Sequence, residues 1–241
     1  MHPSPNRHSQ KSGITFDAFS LSNSVGPLHS ENQDSYLADG ENLLFAVADG
    51  VGGYKGAKQA SELAVKVLAK DTSKIVDERS ATSCLEDIHS KIQNKAAVLN
   101  HPNMGTTIAL AKVLATDGAR VLAANVGDSP ILLFRGDGSC SRLYTDDSYR
   151  GSDPLSMFGI IQYLGLDMEI EVHTKITACE KGDVLLICSD GITDNLLVGE
   201  RPDQSTLSQI VRRYRSAERL VQAAIERGYK PDDMTAILVF F

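Results

Sequence analysis

The chain has 241 residues, of which 42% are hydrophobic and 23% charged, enough for one large domain with a substantial core. Its net charge of −7 at pH 7 argues against non-specific binding to nucleic acid or to an anionic membrane surface. No apolar run approaches the length needed to span a bilayer, and residues 1–12 lack the apolar core of a signal peptide. We therefore expect a flexible tail over residues 1–12 and a single domain over residues 13–241.

Strand-like apolar runs dominate the chain and fall into blocks. They cover residues 14–21, 34–38, 43–48, 106–115, 119–126, 130–134, 184–189 and 235–241. Within the middle block, Asp117-Gly118 and Gly136-Asp137-Gly138 follow apolar runs and are hairpin signals. This region is therefore predicted to be an antiparallel meander.

Apolar residues at helical spacing predict four helices between these blocks, around residues 60–68, 85–99, 207–214 and 220–225. Ser83 and Glu86 offer the second helix a capping box, and Gly228 is a typical end for the fourth. Because the strands come in blocks and do not alternate singly with helices, the sequence favours an α+β fold. Residues 149–162 form the least regular internal stretch and are predicted to be an exposed flap.

The four cysteines carry information about the compartment. They are Cys84, Cys140, Cys179 and Cys188, and none of them is in C-x-x-C spacing. Reduced, buried thiols are therefore expected, which is typical of a cytoplasmic protein.

Five Asp-Gly pairs occur, and their contexts differ. Those at Asp39, Asp117 and Asp137 lie between strand-like segments, where glycine makes a turn easy. Asp49 and Asp190 each end a nearly continuous apolar run, where an unpaired carboxylate is costly. Coordination of a hard cation such as Mg²⁺ or Mn²⁺ would remove that cost.

Further acids open other strands. Asp232 and Asp233 precede the last apolar run, and Asp34 follows Asn32-Gln33 at the start of the second. Taken singly, Asp232 and Asp233 could equally well form a polar turn, and Asp34 could lie in a solvated loop. Taken together, carboxylates at separate strand ends predict a metal site that handles phosphate.

Six segments, in this order along the chain, resemble the motifs of a known family. They are GPLHSENQD (26–34), VADGVGG (47–53), GTTIALA (105–111), ANVGDS (124–129), CSDGITD (188–194) and PDDMT (231–235). The family is that of the metal-dependent serine/threonine protein phosphatases, the PPM or type 2C family, in its bacterial form. The resemblance implies two packed antiparallel β-sheets flanked by pairs of α-helices, an αββα sandwich, with the metals between the sheet edges and a short flap.

The resemblance also implies roles for individual residues. Asp49 would bridge two metal ions, and the carbonyl of Gly50 would bind one of them. Asp190 and Asp232 would hold the other ion. Asp34 would act through bound water, and Asp128 would join Asp190 at a third site. Two or three Mn²⁺ or Mg²⁺ ions would thus be bound, and a hydroxide bridging two of them would attack phosphoserine or phosphothreonine.

Several positions depart from the family pattern. His29 stands where an arginine usually grips the substrate phosphate, and we expect it to contact phosphate with fewer donors than a guanidinium has. Gln33 replaces an acidic residue beside Asp34, and Asp147 stands where a histidine is common.

The leading hypothesis is a cytoplasmic protein-serine/threonine phosphatase that acts on phosphorylated proteins and opposes a Ser/Thr kinase or acts on that kinase itself. Two alternatives stay open. One is a non-catalytic family member that serves as a regulatory binding module. The other is a phosphomonoesterase for small molecules, which the sequence does not separate from the first.

Overall fold

The computed structural model describes residues 7–8, 13–22, 31–52, 54–115, 119–144, 146–149, 159–196, 204–228 and 230–241. The strands are β1 (Arg7–His8), β2 (Thr15–Ser22), β3 (Ser35–Asp39), β4 (Leu44–Ala48), β5 (Ile108–Ala115), β6 (Ala119–Val126), β7 (Ile131–Phe134), β8 (Cys140–Arg142), β9 (Ser148–Tyr149), β10 (Gly159–Ile160), β11 (His173–Ala178), β12 (Val184–Cys188) and β13 (Asp233–Phe240). The helices are α1 (Ala57–Asp71), α2 (Glu78–Leu99), α3 (Asp190–Leu196), α4 (Gln204–Tyr214) and α5 (Ala217–Arg227).

Two antiparallel sheets form the centre of the described structure. The first has the strand order β1-β2-β13-β12-β7-β8, and the second has the order β11-β6-β5-β4-β3. The short strands β9 and β10 pair separately, at the segment predicted to be a flap. Residues 150–158, within that flap, lie outside the described part of the chain.

The sheets are covered on both faces, which explains their long apolar runs. In β4, Phe45 and Val47 face the first sheet across the middle of the sandwich. Leu44, Ala46 and Ala48 face α1 and α2 on the outside. A third apolar layer lies between the first sheet and helices α3 to α5. The predicted α+β class, with two packed antiparallel sheets between helical layers, is confirmed.

The predicted meander is wrong at one point. β5 and β6 form a hairpin in the second sheet, as Asp117-Gly118 predicted, although residues 116–118 themselves lie outside the described residues. β7 and β8 form a hairpin around Gly138, but in the first sheet. The chain therefore crosses from one sheet to the other between β6 and β7, through Gly127, whose φ of 107° is readily accessible only to glycine.

Helix ends follow the sequence in part. α5 ends at Gly228 in the left-handed conformation, as predicted. α2 begins six residues earlier than the Ser83/Glu86 box predicted, because Asp77 caps it and accepts a hydrogen bond from the backbone N of Ser80 at 2.8 Å. The Ser83 prediction is therefore wrong.

Other expectations are tested only in part. Arg7 and His8 pair with β2 within the segment predicted as a loose tail, whereas most of that segment lies outside the described residues, so the domain division stays a prediction. All four cysteines are free, and two of them are buried. Among the described residues, no helix is long and apolar enough to cross a membrane.

Candidate metal centre

Asp49 lies where β4 leaves the second sheet. Its carbonyl accepts hydrogen bonds from the backbone N of Thr107 at 2.8 Å and from Thr106 Oγ1 at 2.7 Å. Its own N–H donates to Thr107 Oγ1 at 3.2 Å. These hydrogen bonds join Asp49 to Thr106 and Thr107, which directly precede β5. They fix the backbone of Asp49, and so the position from which its side chain extends at the sheet edge.

Gly50 makes a close approach possible. A Cβ added there would lie 2.8 Å from the carbonyl oxygen of Ala57 and 2.8 Å from that of Gln33. Any larger residue would push the first turn of α1 and the approach to β3 away from Asp49. The glycine is thus required by packing, which supports the reading of Asp49-Gly50 as part of a site and not an ordinary turn.

Asp34 connects the two sheets. Its Oδ2 accepts hydrogen bonds from Ser189 Oγ at 2.8 Å and from Thr235 Oγ1 at 2.6 Å. Thr235 belongs to β13 of the first sheet, and Ser189 directly follows β12 of the same sheet. The residue is only 3% exposed, and its Oδ1 is buried without a hydrogen-bond partner among the described residues. An unsatisfied buried carboxylate oxygen is expensive, so this atom fits a role as acceptor for a bound ion or its water.

Asp190 and Asp232 lie side by side at the end of the first sheet. Asp190 begins α3 one residue after the end of β12, and Asp232 directly precedes β13, which pairs with β12. At Gly191, an added Cβ would lie 2.3 Å from the carbonyl oxygen of Asp233 and 3.1 Å from the Cβ of Asp232. As at Gly50, a glycine lets two acid-bearing segments approach closely.

Asp128 is on the segment that crosses between the sheets. The preceding residue, Gly127, donates its N–H to Asp147 Oδ2 at 2.8 Å. Asp147 is buried, and its Oδ1 lies 2.8 Å from His173 Nε2. The residue that departs from the family pattern thus anchors the loop that carries Asp128, with a histidine from β11 as its partner.

Five carboxylates share one electrostatic environment. Burial raises the pKa of Asp49 well above its ordinary value, and the next causes are the charges of Asp34, Asp190, Asp232 and Asp128. Burial likewise raises the pKa of Asp34 to about 7 and that of Asp128 to about 7. A bound cation would stabilise the charged form of each, so the donor set fits a hard divalent metal.

Lys230 is a cation within this cluster that the sequence reasoning missed. Its Nζ lies 2.8 Å from Oδ2 of Asp190 and 2.8 Å from Oδ2 of Asp232. Burial opposes the charged form of the lysine, but the neighbouring carboxylates raise its pKa above the ordinary value. Among the described residues, no three acidic, histidine or cysteine side chains form a ready-made metal cage.

The other predicted positions are placed as follows. His29 lies outside the described residues. Asp233, next to Asp232, serves the fold, because its carboxylate accepts hydrogen bonds from Ser22 Oγ at 2.6 Å and from the backbone N of Gln33 at 2.7 Å. Ser189 and Thr235 were not predicted, although each stands beside or near a predicted ligand at a strand end.

Comparison with known proteins identifies the family of the chain. The model of the protein phosphatase 2C family matches residues 29–227. The serine/threonine phosphatase stp of Listeria innocua is 29% identical over 195 residues, covering 70% of this chain and 75% of that protein. The protein phosphatase PhpP of Streptococcus pneumoniae is 31% identical over 205 residues, covering 75% and 80%.

Solved structures share the fold. The catalytic domain of the serine/threonine protein phosphatase PstP, in complex with two manganese ions, superimposes with a TM-score of 0.73. It is 24% identical and covers 94% of this chain and 97% of that one. The predicted resemblance to bacterial phosphatases of this type is confirmed. This chain belongs to the protein phosphatase 2C family, the metal-dependent serine/threonine protein phosphatases.

Proposed function

We propose that this chain hydrolyses phosphoserine and phosphothreonine in proteins, with two divalent cations held by the acids at the sheet edges. The observation that carries the proposal is that Asp190 and Asp232 share one ammonium group at 2.8 Å, while Asp34 accepts a hydrogen bond from Ser189, the residue before Asp190, at 2.8 Å. A binding module has no need to gather so many costly charges. The family's activity is the simplest use for them.

The proposed ligands follow the order of the motifs. Asp49 would be shared by both cations, and the Gly50 carbonyl would serve the first. Asp190 and Asp232 would serve the second, and Asp34 would act through water. Asp128 joins Asp190 if a third ion binds. Oxygen-only donors favour Mn²⁺ or Mg²⁺ over softer metals, and a related phosphatase structure contains two manganese ions.

The chain's own residues orient this centre. When bound, the cations would supply a water of lowered pKa and positive charge for the phosphoryl oxygens. Ser189 and Thr235 both donate to one oxygen of Asp34, which leaves Oδ1 of that carboxylate for the site. No covalent nucleophile is required from the protein.

His29 is proposed to contact the substrate phosphate. A protonated imidazole binds a dianion better than a neutral one, so KM should rise as pH increases through about 6.5. In the His29→Arg variant KM should be lower and lose this dependence, since guanidinium stays charged and offers two parallel donors. A KM that is the same in both proteins from pH 5.5 to pH 8 would contradict this role.

The substrate and its setting complete the proposal. A phosphorylated protein is the substrate, and a Ser/Thr kinase or its targets are the partners, in the cytoplasm. Residues 13–241 act as one catalytic domain behind the tail of residues 1–12. The acidic net charge of −7 offers no attraction to nucleic acid.

The test compares three substrates under three metal conditions. Phosphate release is measured from a phosphothreonine peptide, p-nitrophenyl phosphate and a sugar phosphate, each with Mn²⁺, Mg²⁺ or EDTA. We expect turnover of the peptide with a divalent cation and none with EDTA. Preference for the sugar phosphate would favour the small-molecule enzyme, and no turnover with either cation would favour the binding module.

A further inference from the structure

Lys230 reaches three acids with one ammonium group. Its Nζ lies 2.8 Å from Asp190, 2.8 Å from Asp232 and 2.9 Å from Asp194, in each case measured to Oδ2. Asp190 and Asp232 are the proposed ligands of the second cation. The lysine therefore occupies the same two carboxylates that the metal would use.

The root of this side chain is held in place. The backbone N of Lys230 donates to Asn195 Oδ1 at 2.9 Å, and its carbonyl accepts from Asn195 Nδ2, also at 2.9 Å. Asn195 is fully buried in α3, and its Nδ2 also donates to the carbonyl of Gly191 at 2.8 Å. This clamp ties the segment before β13 to the helix that starts with Asp190, so the ammonium is aimed at the acids by the fold.

Asp194 differs from the other two acids. It lies one helical turn after Asp190 on α3, its side chain is 46% exposed, and it is not one of the proposed metal ligands. Asp194 can remain paired with the ammonium group of Lys230 while Asp190 and Asp232 bind a divalent ion. Three carboxylates and one ammonium leave a net charge of −2, so the cluster still attracts a cation, but less strongly than it would without the lysine.

We propose that Lys230 is a positioning residue that holds Asp190 and Asp232 when no metal is bound and competes with the second divalent cation for them. The inference rests on the proposed metal centre. Binding of the second ion displaces the ammonium towards Asp194. The first ion, at Asp49, meets no such competitor among the described residues, so the two sites should fill at different metal concentrations.

The experiment is a calorimetric titration of Mn²⁺ into metal-free protein. Lys230→Met removes the charge and keeps most of the length of the side chain. Lys230→Arg keeps the charge, and Lys175→Met removes an equal charge from the exposed part of β11. We expect the wild type to bind a second ion more weakly than the first. In Lys230→Met the second ion should bind about tenfold more tightly, whereas Lys175→Met should match the wild type and Lys230→Arg should not gain affinity.

A second measurement covers the case in which Lys230→Met does not fold without metal, because Asp190, Asp194 and Asp232 would repel one another. The protein is then prepared with Mn²⁺, and the number of Mn²⁺ ions still bound per chain is measured at increasing concentrations of EDTA. The variant should keep its second ion at about tenfold more chelator than the wild type does.

The two levels of the hypothesis fail differently. If the wild type binds two ions but Lys230→Met binds the second with unchanged or weaker affinity, the role of Lys230 is wrong and the metal centre stands. If the wild type binds no Mn²⁺, the proposed metal centre is wrong, and the proposed competition by Lys230 is wrong as well.

Discussion

At the scale of single residues, Asp34 shows how a carboxylate can serve the fold and the site together. One of its oxygens joins the sheets through Ser189 and Thr235, and the other is buried without a partner among the described residues. Such an acid is destabilising when charged unless a cation is nearby. The stability of the metal-free protein should therefore depend on the protonation of Asp34.

The predicted pH dependence has a definite sign. The pKa of Asp34 is about 7 in the folded protein, against an ordinary value of 3.8. Between these values the folded state keeps a proton that the unfolded state has lost. The free energy of unfolding thus falls as pH rises through this window and stays low above it.

In EDTA, the melting temperature should drop between pH 5 and pH 8, and Asp34→Asn should show a smaller drop. Asp167→Asn, in an exposed loop, should behave like the wild type, and an unchanged slope in Asp34→Asn would contradict the prediction.

Gly191 provides a second prediction at this scale. An alanine methyl group would lie 2.3 Å from the carbonyl oxygen of Asp233, so the backbone on either side must move apart. We expect Gly191→Ala to lower the free energy of unfolding in urea by about 1–3 kcal/mol, the usual cost of overpacking. Gly136→Ala is the matched control, because nothing lies within 4 Å of its added Cβ. Equal stability of the two variants would show that the close approach at Gly191 does not matter.

At the scale of elements, α2 begins at a cap that the sequence did not reveal clearly. Asp77 and Ser80 satisfy each other's backbone N–H groups, whereas Ser83 is exposed in the first half of the helix. Asp77→Ala should therefore cost about 1 kcal/mol in urea unfolding. Ser83→Ala should cost nothing, since alanine is the better residue inside a helix. A loss of stability in Ser83→Ala that matches Asp77→Ala would contradict this assignment.

The elements that were predicted well have a strong local signal. β4 and β12 are buried on both faces, so their apolar runs are continuous and their ends fall within one residue of the prediction. β11 was missed because it is an exposed edge strand that includes Lys175, with little apolar alternation. The crossing between β6 and β7 was also missed, because hairpin signals do not say which sheet receives the next strand.

The candidate site shows the same division between local and long-range information. Asp49 and Asp190 were singled out because an acid after a buried strand is unusual in any context. Lys230 could not be found this way, since its importance depends on Asn195, 35 residues away, and on acids from another element. Residues that act through tertiary contacts leave no pattern in a single sequence.

At the scale of the whole molecule, the proposed centre depends on two sheets meeting at their edges. Asp34 and Asp49 come from the second sheet, Asp190 and Asp232 come from the first, and Asp128 lies on the segment that passes between them. Each sheet alone would carry an incomplete set of acids. The packing of the sandwich is therefore what would convert separate strand ends into one catalytic centre.

The most direct test of this view is phosphate release from a phosphothreonine peptide at saturating Mn²⁺, measured for Asp49→Asn and for Asp137→Asn. Both changes turn an Asp-Gly pair into Asn-Gly, but Asp137 closes a turn, in which its carboxylate accepts hydrogen bonds from the backbone N and Oγ of Ser139. We predict a loss of about thousandfold or more for Asp49→Asn, since it removes the charge shared by both cations, and activity within about twofold of the wild type for Asp137→Asn. Wild-type activity in Asp49→Asn would contradict the proposed metal centre.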